Sequence, residues 1–499
     1  ADQGGNELNH LYVRELDGSS RDLTPGENLK ALFYGWSQDD ASFYVGTNER
    51  DQRFFDVYEY DVETYERELV YQNDGGYSFG DVSPDRRWIA LGKTNTNADS
   101  DIFLYDAESG EHVHLTPHEG DVNYFPVQFS VDGRSLLFVT DEDSEFLHLV
   151  EHDLASGERE VLEQVDWDVL FAYISKNGKY LVVAINNDAR TELRIYDRSS
   201  GERVDLPELP NADITTVGIS RDESHMAFYA SSSRMPADLF VQDLAGGEPR
   251  QLTSSLNPNI DPDDLVEAQV VRFDSFDGVE IPGVLYKPHQ VSSDNPGPAL
   301  VWVHGGPGGQ SRVGYSSLIQ YLVNHGYVIY AINNRGSSGY GKTFNHLDDQ
   351  RHGEDDLDDC VASKQMLVDT GYVDGDRIGI LGGSYGGYMV LAALTFRPEE
   401  FAIGIDIFGI SNWHRTVSNI PPWWEAFRAA LEKEMGPFDD EEFFRAKSPL
   451  FHAENIVRPL MVLQGANDPR VLKVEADDIV APARANGVPV EESVFEDAG

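Results

Sequence analysis

The sequence predicts a β-propeller followed by a mostly parallel, doubly wound α/β domain. Three observations predict it. A turn-and-hairpin unit recurs between residues 30 and 255. From about residue 266 short apolar strands alternate with helical stretches, and a glycine-flanked serine stands where one such strand meets a helix. At 499 residues the chain is also too long for one core, so two or three domains are expected.

The recurring unit opens on a serine with Asp or Asn two residues later: "SQDDASFYVGT", "SPDRRWIALGK", "SVDGRSLLFVT", "SKNGKYLVVAI" and "SRDESHMAFYA". The serines are Ser37, Ser83, Ser130, Ser175 and Ser220, spaced by 46, 47, 45 and 45 residues. An apolar, β-rich run follows each turn. A second strand comes next, as in "DIFLYDAESGE" and "TELRIYDRSSGE", ending in an acid, a turn and Gly-Glu. Hairpins at this period are the signature of propeller blades, because one blade cannot bury both faces and must stack on its neighbours. "LYVRELDGSSRDLTPGE", near residues 11–27, matches only the second half of a unit. The expectation is therefore about six blades, the first partial, with the chain starting inside a blade.

"NPNIDPDD" reads as a linker, giving a propeller at residues 1–262 and a second domain at 263–499. In the latter, "VVRFDSFDGVEIPGVLYKP" reads as a strand, an Asp-Gly turn and a strand. "PALVWVHGG", "YVIYAINNRG", "RIGILGGS", "FAIGIDIFG" and "PLMVLQGAND" are apolar strands with helical patterns between them. That rhythm indicates a parallel sheet covered on both faces.

"ILGGSYGGYM" puts Ser384 between the strand "RIGIL" and the helical "YMVLAALTF". Gly-x-Ser-x-Gly in that setting is the nucleophile elbow of α/β-hydrolases, which makes Ser384 the candidate nucleophile. A serine on so sharp a turn needs neighbours without a Cβ, which Gly382, Gly386 and Gly387 supply. Acyl transfer also needs hydrogen-bond donors for the oxyanion. The N–H of Tyr385, just after the nucleophile, is one candidate, and Gly306 in the loop "VWVHGGPGG" is the other. His304, at a strand end, is read as a structural histidine rather than the base. The acid follows the nucleophile in chain order and falls on Asp468 in "PLMVLQGANDPRV", with Asp406 in "IGIDIFG" as the alternative. Nothing in the chemistry calls for a cofactor or a metal.

With these residues in hand, the chain resembles the prolyl oligopeptidase family of serine peptidases, which join a β-propeller to an α/β-hydrolase domain. The likeness runs essentially end to end. In the second domain it rests on "FDSFDGVEIPGVLYKP", "HGGPGG", "NNRGSSGYGKTF", "GGSYGGYM", "SPLFHAENI" and "LQGANDPRV". "HGGPGG" and "NDPRV" look most like the acylaminoacyl-peptidase branch. The resemblance implies that Ser384 is the nucleophile, that Asp468 orients the base, and that Gly306 and Tyr385 form the oxyanion hole. It also implies that Arg470 faces the substrate cleft. The dipeptidyl-peptidase branch reads a free amino terminus with a paired-Glu segment, and "DWDVLFAY" has acids but no such pair. Trp413 and Trp423 are candidates for lining an apolar P1 pocket, with core packing as the alternative for either.

No histidine follows His452, so none follows Asp468. The family places its base after a segment like "VFEDAG", and here that segment ends at Gly499, 31 residues beyond Asp468. The next residue is expected to be the histidine. Two functions of different class follow: a peptidase acting on short peptides, with an esterase on the same site as its variant, or a non-catalytic propeller scaffold. A homo-oligomer is compatible with either.

Lys plus Arg number 38 and Asp plus Glu 87, a net charge of −49. Only ten of the basic residues are lysines. Such a surface makes nucleic acid and anionic membrane poor partners. The single cysteine, Cys360, excludes an internal disulfide and fits a reducing cytoplasm. Self-repulsion destabilises a compact chain of this charge, and molar salt shortens its range from about 8 Å to about 3 Å. The reading is adaptation to a salt-rich cytoplasm. The melting temperature is expected to climb steeply at low KCl, as screening saturates, and then slowly to several molar, as excluded salt strengthens apolar burial. Thermal unfolding across a KCl series checks this; a flat melting temperature from about 0.1 to 3 M would leave an ordinary acidic protein.

Overall fold

The computed structural model describes residues 1–2, 5–209 and 212–499. Residues 31–71, 78–114, 124–163 and 213–251 each form a four-stranded antiparallel sheet. Residues 169–197 form a three-stranded sheet, with a single bridge from Tyr196 to Arg203 where a fourth strand would lie. These are five blades. The partial sixth is only a ribbon pairing Tyr12–Arg14 with Ser20–Asp22. The flanking Leu11 and Leu23 pack against the first blade, but two strands of three residues do not make a blade, so the described residues hold five blades rather than about six.

The repeated serine is a structural device. Its Oγ donates to the aspartate two residues on, at 2.7 Å for Ser37–Asp39, 2.6 Å for Ser83–Asp85, 2.7 Å for Ser130–Asp132 and 2.6 Å for Ser220–Asp222. The same Oγ accepts the N–H five residues on, as from Trp88 to Ser83 at 2.9 Å. That pair of bonds closes the turn and delivers the chain into the next strand. The serine hydroxyls hold the Asp39, Asp132 and Asp222 carboxyls at about 2. In the fourth blade Asn177 stands where the others have Asp, and Ser175 donates instead to Glu223 of the fifth blade at 2.5 Å.

Neighbouring blades bond through their first strands. Phe129 N–H donates to Asp81 at 2.8 Å, Ile174 N–H to Gln128 at 2.8 Å, and Tyr173 Oη to the Val217 carbonyl at 2.9 Å. Between them lie apolar layers such as Leu137, Leu149, Ile174 and Val183, all at most 2% exposed. The turn of the first blade reaches the fourth and fifth, since Asp40 pairs with Lys176 at 2.5 Å and with Arg221.

The second domain is one eight-stranded sheet. Its strands are β1 (Ala268–Asp274), β2 (Glu280–Tyr286), β3 (Gly297–Val303), β4 (Val328–Ile332), β5 (Val373–Gly383), β6 (Gly404–Ile407), β7 (Leu460–Gly465) and β8 (Val490–Phe495). They lie in the order β1-β2-β4-β3-β5-β6-β7-β8, antiparallel at the first two pairings and parallel thereafter. All five residues of β4 are buried, the continuous apolar strand expected under helices on both faces. The strand order reverses beside β3 and β5, so the loops after these strands open onto the crevice where such sheets carry their sites.

The domains meet through polar contacts. Arg272 pairs with Asp188 at 2.6 Å, Asn186 donates to Gln310 at 2.9 Å, and Thr343 N–H donates to Glu145 at 2.7 Å. Among the described residues no helix is long and apolar enough to cross a membrane.

Candidate active site

β3 and β5 pair in register from Ala299–Ile378 to Val303–Gly382. The loop His304–Gly309 and the turn at Ser384 therefore emerge side by side. Ser384 has φ 58° and ψ −118°, a backbone that a residue with a Cβ adopts only where its surroundings enforce it. Its N–H donates to the Ile407 carbonyl at 3.0 Å, and its carbonyl accepts from Tyr388 at 3.0 Å to start the helix Tyr385–Phe396. The side chain is half-buried at the crevice.

The flanking glycines are required by space. A Cβ on Gly382 would lie 2.5 Å from the Gly386 backbone, and one on Gly386 would strike the end of β3 at Val303. At Gly387 it would come within 2.5 Å of Gly409 Cα and of Asp406. Gly387→Ala pits a methyl against the Gly409 backbone and the buried Asp406 carboxyl and is expected to cost about 2–3 kcal/mol. Gly383→Ala meets only the edge of the Phe408 ring at 3.2 Å and should cost less. Urea unfolding of the two variants checks the order.

As the first helical residue, Tyr385 has an N–H with no acceptor inside the helix, free for a ligand at the turn. Gly306 lies in the neighbouring loop, with φ 150°. A Cβ on Gly305 would stand 3.6 Å from Ser384 Cβ, so this loop packs directly against the serine. His304 is fully engaged: Nε2 is 2.8 Å from Ser337 Oγ and Nδ1 is 2.8 Å from the Gly305 carbonyl. Burial pushes its imidazole below the ordinary value. It is a structural histidine.

Asp468 sits in the turn after β7. One carboxylate oxygen, Oδ1, accepts the N–H groups of Arg470 at 2.8 Å and Val471 at 2.9 Å. Asp406 differs from it in every respect that matters. It is fully buried against Gly387 and Gly409, neither carboxyl oxygen has a hydrogen-bond partner, and burial raises its pKa well above the carboxylate range. Fully buried, it offers no oxygen to a base at the crevice.

Three further expectations concern substrate residues. Trp413 is 3% exposed and packs edge-on against Tyr388, with ring centroids 4.9 Å apart. It belongs to the core behind the elbow, so the pocket-lining reading gives way to packing. Trp423 lines a cavity of about 180 Å³ shared with Tyr34, Phe54 and Tyr77 of the propeller, and Lys30 lies 4.9 Å over its ring. Arg470 pairs with Glu7 at 2.7 Å and stacks over Trp424.

The sequence reading missed a buried cluster under the elbow. The Tyr385 hydroxyl donates to Asp356 at 2.6 Å and lies 2.7 Å from His352, which is itself 3.3 Å from Asp348. The acid-rich run "RHGEDDLDD" was its only local signal. Asp348, His352 and Asp356 bring three potential metal ligands within 4.8 Å of one another.

A serine strained onto a strand–helix turn, amide donors beside it and an acid after a later strand define a serine hydrolase of the α/β type, here joined to a propeller. Residues 1–255 match the family described as prolyl oligopeptidase, N-terminal beta-propeller domain, and residues 313–499 match the prolyl oligopeptidase family itself. The chain is 32% identical over 515 residues to dipeptidyl aminopeptidase BIII of Pseudoxanthomonas mexicana, covering 100% of this chain and 74% of that protein. Among solved structures, a puromycin-hydrolysing peptidase of Mycobacterium tuberculosis superposes with a TM-score of 0.85 at 21% identity, over 99% of this chain and 79% of that one. An acylaminoacyl peptidase of Pyrococcus horikoshii superposes with a TM-score of 0.72 at 23% identity, over 98% and 80%. The chain belongs to the prolyl oligopeptidase family and is a serine peptidase of that family.

Proposed function

We propose that this peptidase hydrolyses short peptides through an acyl-enzyme on Ser384. The observation that carries the reading is the Ser384 turn, strained and packed against the His304–Gly309 loop. Ser384 Oγ attacks the scissile carbonyl while the N–H groups of Tyr385 and Gly306 receive the developing oxyanion. Asp468 orients the base. The propeller limits entry to short chains. Its setting, on the net charge and the single cysteine, is a salt-rich cytoplasm.

A second reading, release of dipeptides from a free amino terminus, is favoured by one feature. Asp141, Glu145 and Asp168 line a cavity of about 190 Å³ between the propeller and the 338–346 loop, together with Lys342 and His346, so an incoming ammonium would meet three acids and one resident lysine. Burial holds the Asp168 carboxyl above the usual range, and a bound cation would bring it down. Matched peptide substrates with free and acetylated amino termini separate the readings. Free-amino substrates ahead by tenfold or more in kcat/KM support dipeptide release, since tenfold corresponds to about 1.4 kcal/mol of recognition. Acetylated substrates equal or better support the acylaminoacyl reading. Ester cleavage without peptide cleavage overturns both.

A further inference from the structure

The phenol of Tyr385 runs away from the crevice into a cluster that acyl transfer itself does not use. Its hydroxyl donates to Asp356 Oδ2 at 2.6 Å, and His352 Nδ1 lies 2.7 Å from the Tyr385 hydroxyl oxygen and 3.3 Å from Asp348 Oδ2. His352 Nε2 faces the Glu434 carbonyl at 3.2 Å. Asp356 Oδ1 is taken by the N–H groups of Glu354 and Leu357. Asp348, His352, Asp356 and Tyr385 are each at most 2% exposed.

The Tyr385 phenol is thus held between Asp356 and His352, and His352 is held in turn between Asp348 and the Glu434 carbonyl. The groups facing it come from every packed element: Asp348 before the helix Asp355–Asp369, Asp356 on it, Tyr385 on the nucleophile helix, and Glu434 on the helix Arg428–Met435. Burial raises Asp356 to about 6 and Glu434 to about 7.

We propose that His352 is a positioning residue for the reaction at Ser384, its ring anchoring the Tyr385 phenol at 2.7 Å and thereby aiming the Tyr385 backbone N–H at the oxyanion. The proposal rests on the reading of Ser384 as nucleophile and Tyr385 N–H as donor. The Ser384–Tyr385 peptide follows a strained residue, and strain of this kind persists only where the surroundings over-determine it. The phenol, gripped from two sides, is such a constraint. A metal held by Asp348, His352 and Asp356 is the competing reading, and it would draw Nδ1 away from the Tyr385 hydroxyl.

The test uses the full-length protein and two variants, His352→Gln and Tyr385→Phe, the second removing only the hydroxyl. Losing an oxyanion donor outright costs about 10²–10³ in kcat, so a misaimed one should cost roughly 10- to 100-fold, with KM within about twofold. Initial rates well below the melting temperature keep unfolding out of the readout. If His352→Gln does not fold, Tyr385→Phe carries the test through its kcat and KM. End-point fluorophosphonate labelling should mark Ser384 in every variant; a parent that does not label there fails the nucleophile reading, not this one. Unchanged kcat in both variants, or stoichiometric Zn²⁺ uptake by the parent in calorimetry, overturns the proposal.

Discussion

Ser384→Ala is expected to lower kcat roughly a million-fold while leaving KM nearly unchanged. The size follows from the role. Without Oγ no acyl-enzyme forms, and the amide donors and bound geometry alone retain only about 10³–10⁴ over water. KM is spared because the hydroxyl contributes little to ground-state binding, and the alanine occupies the same strained turn with one atom fewer. Steady-state kinetics on a short chromogenic peptide, beside the melting temperature, measure both quantities. A variant that keeps even a hundredth of the parent kcat would move the chemistry away from this turn.

Asp468→Asn should cost about 10⁴ in kcat with little change in stability. The structure makes this substitution unusually clean. Oδ1 of Asp468 is the acceptor that closes the turn onto Arg470 and Val471, and asparagine retains that oxygen. What it loses is the charge, and with it the tautomer and orientation of the base. Asp468→Ala removes the turn bonds as well and should add a fall in melting temperature. Equal kinetic loss in the two variants with a stability loss only in alanine assigns the charge to catalysis and Oδ1 to the fold. An Asn variant as active as the parent would return the acid role to an open question, with Asp406 disfavoured by its burial.

What could be read from the sequence was whatever is encoded locally. The blade repeat was legible because each turn is built from a serine and the aspartate two residues later, with a partner inside the same motif. The elbow was legible because its glycine pattern is contiguous in sequence, and the Gly382–Gly386 clash arises within the turn itself, although those at 386 and 387 also involve Val303 and Gly409 from other strands. Long-range placement was not. Whether Trp413 faces a cleft or the core depends on Tyr388 and Ser448, brought to it by other elements. Arg470 meets Glu7 from the opposite end of the chain, a pairing no spacing rule anticipates. The grip on Tyr385 joins residues 29 and 33 positions apart, and each reads by itself as an ordinary helix-surface acid or a lone histidine. The blade count differed because a half-unit motif marks strands, not whether enough of them assemble to stack.

The most direct measurement is mass spectrometry of the full-length protein inactivated by a fluorophosphonate. One adduct per chain is expected, on the peptide carrying Ser384, with activity falling in proportion to its occupancy. An adduct on any other residue, or peptide hydrolysis that continues with Ser384 fully modified, would contradict a peptidase built on this serine.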